Sequence, residues 1–425
     1  MLVTVSRARR LANQKEGVPR MNVTGVICEY NPMHSGHAYQ LSVARERGAE
    51  CVVALMSGSF TQRGEIAVAD KYTRAEVALN VGADLVLELP YPYCAGGAEY
   101  FATAGISILD RLSIGRISFG SESGDVELLS RAAEAALSDE FKSAFREAGR
   151  SGSGSAAAYF NLLGSFIGVE DFGSNDVLGV EYLKAIRSLK ASITPDVLRR
   201  VGAGYHDSTI TENVHPSATA LRKEIACAIA ASRSAAECYA AVSGLTDTAP
   251  FSRAVAEGNA PVHLENAALA ILSFYRMHEP KDFEGIAEMH GGLAERIVSA
   301  AENVTTIGDF YRLAATKKYT DSRVRRAVLY GLTGVREDDL RRPPAYVNLL
   351  GANSTGRAFL AEYRKRKERD LAVITRPAAI LSGNENADFE RQAVLQRRAE
   401  ALFTLFLPEK KEAGYFLKSR AVIKA

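Results

Sequence analysis

The chain is 425 residues long with 47% hydrophobic and 24% charged residues, a globular composition that excludes a disordered or fibrous protein. At typical domain sizes this length holds about two to three domains. Its 52 Lys+Arg and 50 Asp+Glu leave a formal net charge of +2, so any contact with nucleic acid must come from a local patch rather than from the total.

The five cysteines, Cys28, Cys51, Cys94, Cys227 and Cys238, are odd in number and form no CxxC pair. That pattern argues against a disulfide framework or a zinc site and points to reducing, cytoplasmic surroundings. No run approaches the roughly 18 apolar residues of a membrane span, so no membrane partner is expected. Residues 1–20 carry five basic side chains against one acid and precede Met21, directly before the first strand-like run. They read as a basic extension, an ill-placed start or a loose arm, with an organelle transit peptide as the less supported alternative, and the working chain is expected to begin at Met21.

From Met21 onward, β-rich apolar runs alternate with helical patterns, the signature of a parallel sheet covered by helices. The strand runs are 23–28 (VTGVIC), 51–56 (CVVALM), 84–89 (DLVLEL) and 116–120 (RISFG). Their nearly continuous apolar character suits strands buried on both faces. Between the first two, Ala38, Leu41 and Ala44 fall at helical spacing and Gly48 is placed to end that helix. Further helices are predicted over 72–79 and 98–112, and each crossover is long enough for a right-handed βαβ connection. Residues 150–155 (RSGSGS) mark a flexible loop; a helix over 177–189, a strand over 197–203 and a helix over 218–231 complete a first domain spanning 21–245. Past Pro250 helical periodicity dominates, so 246–425 is expected to be an all-helical domain. The predicted class is α/β, a doubly wound parallel sheet followed by a helical C-terminal domain.

The most informative segment is 25–37, GVICEYNPMHSGH: a buried strand, an Asn31-Pro32 step, then His34-Ser35-Gly36-His37 opening a helix. A glycine before a helix N-terminus offers open backbone amides and the helix dipole to a phosphate. Two histidines flanking it can aim both imidazoles at one phosphate, each donating N–H to charge that develops when a nucleophile displaces pyrophosphate. The competing readings are ordinary loop histidines or a metal pair. His206, His215, His263, His278 and His290 show no ligand spacing with these two, so no metal site is predicted. The position at the carboxyl end of the first strand favours a nucleotide.

The segment EYNPMHSGH resembles the EYNPFHNGH of the HxGH-type nucleotidyltransferases, in particular the bacterial tRNA(Met) cytidine acetate ligases. The likeness continues through MSGSFTQRGEIAVADKYTRAEVAL (56–79), DLVLELPY (84–91), FGSESGD (119–125), SNDVLGVEYLKAI (174–186), RVGAGYHD (200–207) and SATALRK (217–223). It covers roughly residues 21 to 420 in the same order, which makes a chance motif match untenable. Met33 and Ser35 depart from the Phe and Asn of that pattern. The resemblance implies a Rossmann-like, HUP-type nucleotidyltransferase domain. It further implies that acetate is activated by ATP as acetyl-adenylate and transferred to the wobble cytidine of elongator tRNA(Met), giving N4-acetylcytidine.

On that basis His34 and His37 are the expected catalytic pair. The ATP contacts it implies are Ile27, Cys28, Glu29, Tyr30, Asn31, Pro32, Met33, Ser35, Gly36 and Gln40 around them, with Gly120, Asn175 and Arg200 from later elements. Gly120 can bring adenosine close to the backbone because it lacks a Cβ, or can simply end a strand. Asn175 either caps its helix or binds nucleotide, and Arg199 competes with Arg200 for the contact. Ser217, Thr219 and Arg222 resemble a phosphate-binding turn, with a plain serine cap as the alternative. Arg63, Lys71 and Arg74 are either site residues or structural partners of Glu65, Asp70 and Glu76. Mg²⁺ is expected with the ATP.

Two basic stretches bear on RNA: 316–326 (TKKYTDSRVRR) and 363–369 (YRKRKER). In the first, Lys317, Lys318, Arg323, Arg325 and Arg326 can follow tRNA phosphates while Tyr319 stacks on a base; a solvated helix face is the alternative. Oligomeric state is left open.

Overall fold

The computed structural model describes residues 21–150, 156–169, 172–200, 215–367 and 369–425. The basic extension 1–20, most of the RSGSGS loop, the end of the predicted 197–203 strand and most of the RVGAGYHD segment lie outside these residues. Strand β1 (Val23–Cys28) leads through helix α1 (Ser35–Glu46) to β2 (Cys51–Ser57), and α2 (Lys71–Val81) leads to β3 (Leu85–Leu89). Helix α3 (Ala98–Arg111) precedes β4 (Arg116–Ser121); then α4 (Val126–Leu137), α5 (Asp139–Arg150), α6 (Ala156–Ile167) and α7 (Ser174–Leu189) come before β5 (Thr194–Arg199). Helices α8 (Ala218–Ala230), α9 (Ala235–Val242) and α10 (Ala249–Ala256) close this half. The predicted order of elements is found; Asp70 caps α2 through the amides of Tyr72 and Thr73, which places its start one residue earlier than its apolar spacing suggests.

Strands β1 to β5 are parallel in the order β5-β4-β1-β2-β3, a doubly wound arrangement whose connections reverse between β1 and β4. Alternate residues feed two cores. Val23, Ile27, Val53, Leu55, Leu85 and Leu87 face α3, α4 and α7, whereas Val26, Cys28, Val52, Ala54, Met56 and Val86 face α1 and α2. Burial on both faces is what the unbroken apolar runs demand.

The second half continues with α11 (Ala268–Arg276), α12 (Leu293–Glu302), α13 (Ile307–Ala314), α14 (Asp321–Thr333) and α15 (Glu337–Arg341). It is mostly helical, as expected, but not wholly so. Strand β6 (Tyr346–Ala352) pairs antiparallel with β3, and after α16 (Ser354–Lys365) strand β7 (Ala372–Ile374) pairs with β6. After α17 (Ala387–Phe403), β8 (Val422–Ile423) also pairs with β6. The all-helical expectation is corrected here: the C-terminal half completes the N-terminal sheet.

A buried polar network closes that junction. Lys71 on α2 donates to Glu88 of β3 at 2.8 Å and to Glu400 of α17, and Gln396 Nε2 donates to both carboxylates. Asn348 of β6 adds a bond to Glu88 at 2.8 Å. Arg74, also buried, donates to the carbonyls of Glu29, Ser57, Gly58 and Ala69. Lys71 and Arg74 are therefore structural, although their partners are not the acids nearest in sequence.

Candidate functional site

A cleft opens at the carboxyl ends of β1 and β4, where the strand order reverses. It holds about 1320 Å³ of empty space including its open mouth. Every residue predicted to contact ATP or phosphate lines it except Pro32, Met33 and Ser35. Met33 is buried beneath α1, where its carbonyl accepts the Tyr239 hydroxyl at 2.7 Å. Pro32 shapes the turn through a cis bond after Asn31. Ser35 turns its hydroxyl to His215 Nδ1 at 2.8 Å.

The turn after β1 is held from the far side. Asn31 Oδ1 accepts the Val68 amide at 2.7 Å, and Glu29 Oε1 accepts that of Gln62 at 2.9 Å. Burial, then the nearby Glu65, raises the Glu29 carboxyl above its usual range against the pull of the Gln62 amide and of Arg222. Tyr30 adopts a left-handed backbone, φ 45°, which lets its ring meet His37 edge-on at 5.0 Å.

Nδ1 of His34 accepts the Gly36 amide at 3.1 Å, and Nδ1 of His37 accepts the His34 amide at 3.3 Å. A nitrogen that accepts carries no proton, so each neutral ring keeps its hydrogen on Nε2. Burial lowers both pKa values. His37 falls to about 3, with Arg200 adding to the effect, and His34 lies well below its usual value with His37, Arg200 and His215 adding. Near neutral pH the site therefore presents two uncharged Nε2–H donors on rings 3.8 Å apart. Gly36 leaves room for the His34 ring, since a Cβ there would lie 3.0 Å from Cε1 of His34 and press on it.

The amides opening α1 are not the free phosphate donors the sequence suggested. The amide of Ser35 goes to the Ser243 carbonyl, that of Gly36 to His34 Nδ1, and those of His37 and Ala38 to the His34 carbonyl. An anion here must meet imidazole and guanidinium groups instead.

Arg200 follows β5, its amide bonded to the Ser121 carbonyl at 2.9 Å. Its stem lies over Gly120, where a Cβ would meet Cγ at 3.2 Å, and Nη1 reaches Asn175 Oδ1 at 3.5 Å. Arg199 also lines the cleft but is exposed, with its stem against Gly124. Asn175 does not cap α7. The Glu122 carboxylate takes that place, accepting the amides of Asn175 at 3.0 Å and Asp176 at 2.9 Å, a negative charge at the positive end of the helix. Ser217 does cap α8, through Ala220 at 3.0 Å. Arg222 donates to the Asn31 carbonyl at 2.7 Å and to Glu65 at 2.8 Å.

Sequence reasoning missed an apolar wall of Phe101, Phe119, Leu178 and Tyr182, residues that read as core, together with Gln62 and His215. His215 precedes the SATALR turn by one proline and stacks on Tyr39 at 5.8 Å.

The first basic stretch does not line the cleft but reaches its neighbourhood. Lys317 and Lys318 are exposed, Arg325 pairs with Glu65, and Arg323 and Arg326 pair with Glu288. The stacking role expected of Tyr319 is not available in this arrangement: its ring is buried between Lys318 and Arg323, and its hydroxyl bonds the Gly291 carbonyl. The second stretch sits at the other end of the sheet, where Arg366 donates to the Leu112 carbonyl ahead of β4.

Comparison with known proteins gives a consistent result. A family model described as HIGH Nucleotidyl Transferase matches residues 21–415. The tRNA(Met) cytidine acetate ligase of Thermosipho melanesiensis is 33% identical over 95% of this chain and 99% of its own. That of Caldanaerobacter subterraneus subsp. tengcongensis is 37% identical over 87% and 93%. The crystal structure of apo Thermotoga maritima TmcAL superposes with a TM-score of 0.86 at 30% identity, covering 95% of this chain and 99% of that one. The same protein bound with alpha-thio ATP gives 0.83 at 30% identity, covering 95% and 100%. Sequence, fold and cleft agree that this chain belongs to the HIGH nucleotidyltransferase family and, within it, to the tRNA(Met) cytidine acetate ligases.

Proposed function

We propose that the cleft activates acetate with ATP and passes the acetyl group to the wobble cytidine of elongator tRNA(Met). An acetate oxygen attacks the α-phosphorus, the bond to the bridging oxygen breaks, and pyrophosphate leaves. Cytidine N4 then attacks the acetyl carbon, AMP departs and N4 loses one proton. The supporting observation is the pair of neutral Nε2–H donors beside Arg200 at the point where the strand order reverses. His34 and His37 meet the oxygens of the α-phosphoryl group as charge builds there, and being preorganised they need no rearrangement. Arg200 adds fixed positive charge, with Asn175 Oδ1 within 3.5 Å of its guanidinium. Ser217, Thr219 and Arg222 face the β- and γ-phosphates from the start of α8.

Mg²⁺ fits as a companion of the nucleotide. Among the described residues no group of three or more His, Cys, Asp or Glu could hold a metal ion, and Glu29 is the only carboxylate lining the cleft. When bound, the ion would offset charge on the phosphates.

Residues 246–425 provide the surface for tRNA, a reading supported by the exposed Lys317 and Lys318. The test is incorporation of labelled acetate into tRNA(Met) in the presence of ATP. N4-acetylcytidine at the wobble position is the expected product. Acetate-dependent AMP release that is indifferent to tRNA would assign the acetyl group to another acceptor.

A further inference from the structure

We propose that Glu65 is a positioning residue through which tRNA on α14 and ATP in the cleft each weaken the other's binding. This rests on the function proposed above, with Arg222 turned to the phosphates and the 317–326 stretch turned to tRNA.

Glu65 divides one carboxylate between two arginines from opposite halves of the chain. Oε2 accepts Arg222 Nη2 at 2.8 Å on the cleft side, and Oε1 accepts Arg325 Nη1 at 3.0 Å on the side of α14. The three side chains are 23 to 32% exposed, so the bridge is accessible to a competing anion from either side. The backbone beneath it is fixed. Phe60 bridges Ile66, and the Thr61 amide bonds the Glu65 carbonyl at 2.9 Å. Gly64, at φ 70°, lets the loop seat directly on α14, since a Cβ there would lie 2.7 Å from the Arg326 amide nitrogen. At its other end the same loop gives the Gln62 amide to Glu29 in the cleft.

The sign of the coupling follows from charge. A carboxylate with two cationic partners holds each less firmly than it would hold one alone. When a tRNA phosphate draws Arg325 away, Glu65 is left to Arg222 and holds it back from the triphosphate. When ATP draws Arg222 away, Glu65 holds Arg325 back from tRNA. Linkage requires both effects to be equal in size. The consequence for the reaction is that arrival of tRNA loosens pyrophosphate after adenylation.

The test measures the dissociation constant of α,β-methylene ATP by calorimetry, with and without saturating tRNA(Met), on the full chain. Wild type is expected to bind the analogue, and tRNA is expected to weaken that binding by about fivefold, the low end of typical coupling. Arg325→Ala is expected to weaken analogue binding without tRNA by a similar factor and to show no further response to tRNA. Arg325→Lys restores part of the wild-type behaviour. Glu65→Gln, which lacks the restraining charge, binds the analogue at least as well as wild type and also loses the tRNA response. Arg312→Ala removes an equal charge from exposed α13, where it pairs with Asp309, and leaves analogue binding unchanged. The proposal is overturned if Arg325→Ala binds like wild type, if Arg312→Ala weakens binding as much, or if tRNA has no effect on the wild type. A wild type that does not bind the analogue at all would instead overturn the proposed function.

Discussion

The imidazoles of His34 and His37 lie 3.8 Å apart, and each commits its Nδ1 to a backbone amide of the same turn. Both rings are thereby held as uncharged donors. Replacing either by Ala is expected to slow acetate-dependent pyrophosphate release by about 100-fold or more, the usual cost of one preorganised donor. Rapid-quench measurement of acetyl-adenylate checks this, and near wild-type rates would refute the assignment.

Because both pKa values are depressed, with His37 at about 3, neither His34 nor His37 should contribute an inflection to the adenylation rate between pH 6 and 8. Stability carries the opposite signature. Unfolded histidine takes up a proton near pH 6.5 while the folded rings do not, so stability contributed by the neutral rings is complete above that value. It declines as pH falls from about 6.5 toward about 3. Urea melts across this range should show the decline, and it should be shallower in His37→Ala.

Gly36→Ala separates geometry from stability. The added Cβ presses on the His34 ring at 3.0 Å, but residue 36 is helical and half-buried. A fall in adenylation of at least about tenfold, with stability changed by less than about 1 kcal/mol, is expected. Steady-state kinetics beside thermal melts decide the point.

Lys71→Met leaves Glu88 and Glu400 facing each other without their cation, which should cost about 3–5 kcal/mol. Glu400→Gln keeps a hydrogen-bonding partner for Lys71 and is expected to cost less than half of that. Chemical denaturation of both variants compares them.

Removing the exposed lysines Lys317 and Lys318 should weaken tRNA binding and reduce the slope of log K against log salt by about 0.7–0.9 for each phosphate that is no longer neutralised. Tyr319→Phe, which deletes only the buried hydroxyl bonded to Gly291, should leave that slope unchanged. Filter binding across a salt series measures both.

The parallel sheet was legible because its strands are buried on both faces and therefore carry unbroken apolar runs, and the cleft was legible because a strand, a turn and HSGH stand in one continuous stretch. Strand β6 was not. Its seven residues sit among helical patterns, and its identity depends on pairing with β3 more than 250 positions earlier. The role of the α1 amides was hidden for the same reason, since the Ser243 carbonyl that takes one of them is remote in sequence. Arg74 and Glu65 show the limit for charges. Their neighbours in sequence suggested partners, whereas burial gave Arg74 to backbone carbonyls, and folding gave Glu65 to arginines of α8 and α14.

The antiparallel seat of β6 on β3 has a consequence for synthesis. While the first half of the chain leaves the ribosome, β3 presents an unpaired edge of apolar residues, and Lys71 and Glu88 have neither Asn348 nor Glu400 beside them. The edge is covered only after residue 352 has been made, and β8 joins the sheet later still, at residues 422–423, beside which the Lys424 amide bonds the Ala352 carbonyl. A nascent chain stalled before that point carries an open strand able to pair with another chain, so production of this protein should depend on uninterrupted translation or on a chaperone that shields the edge.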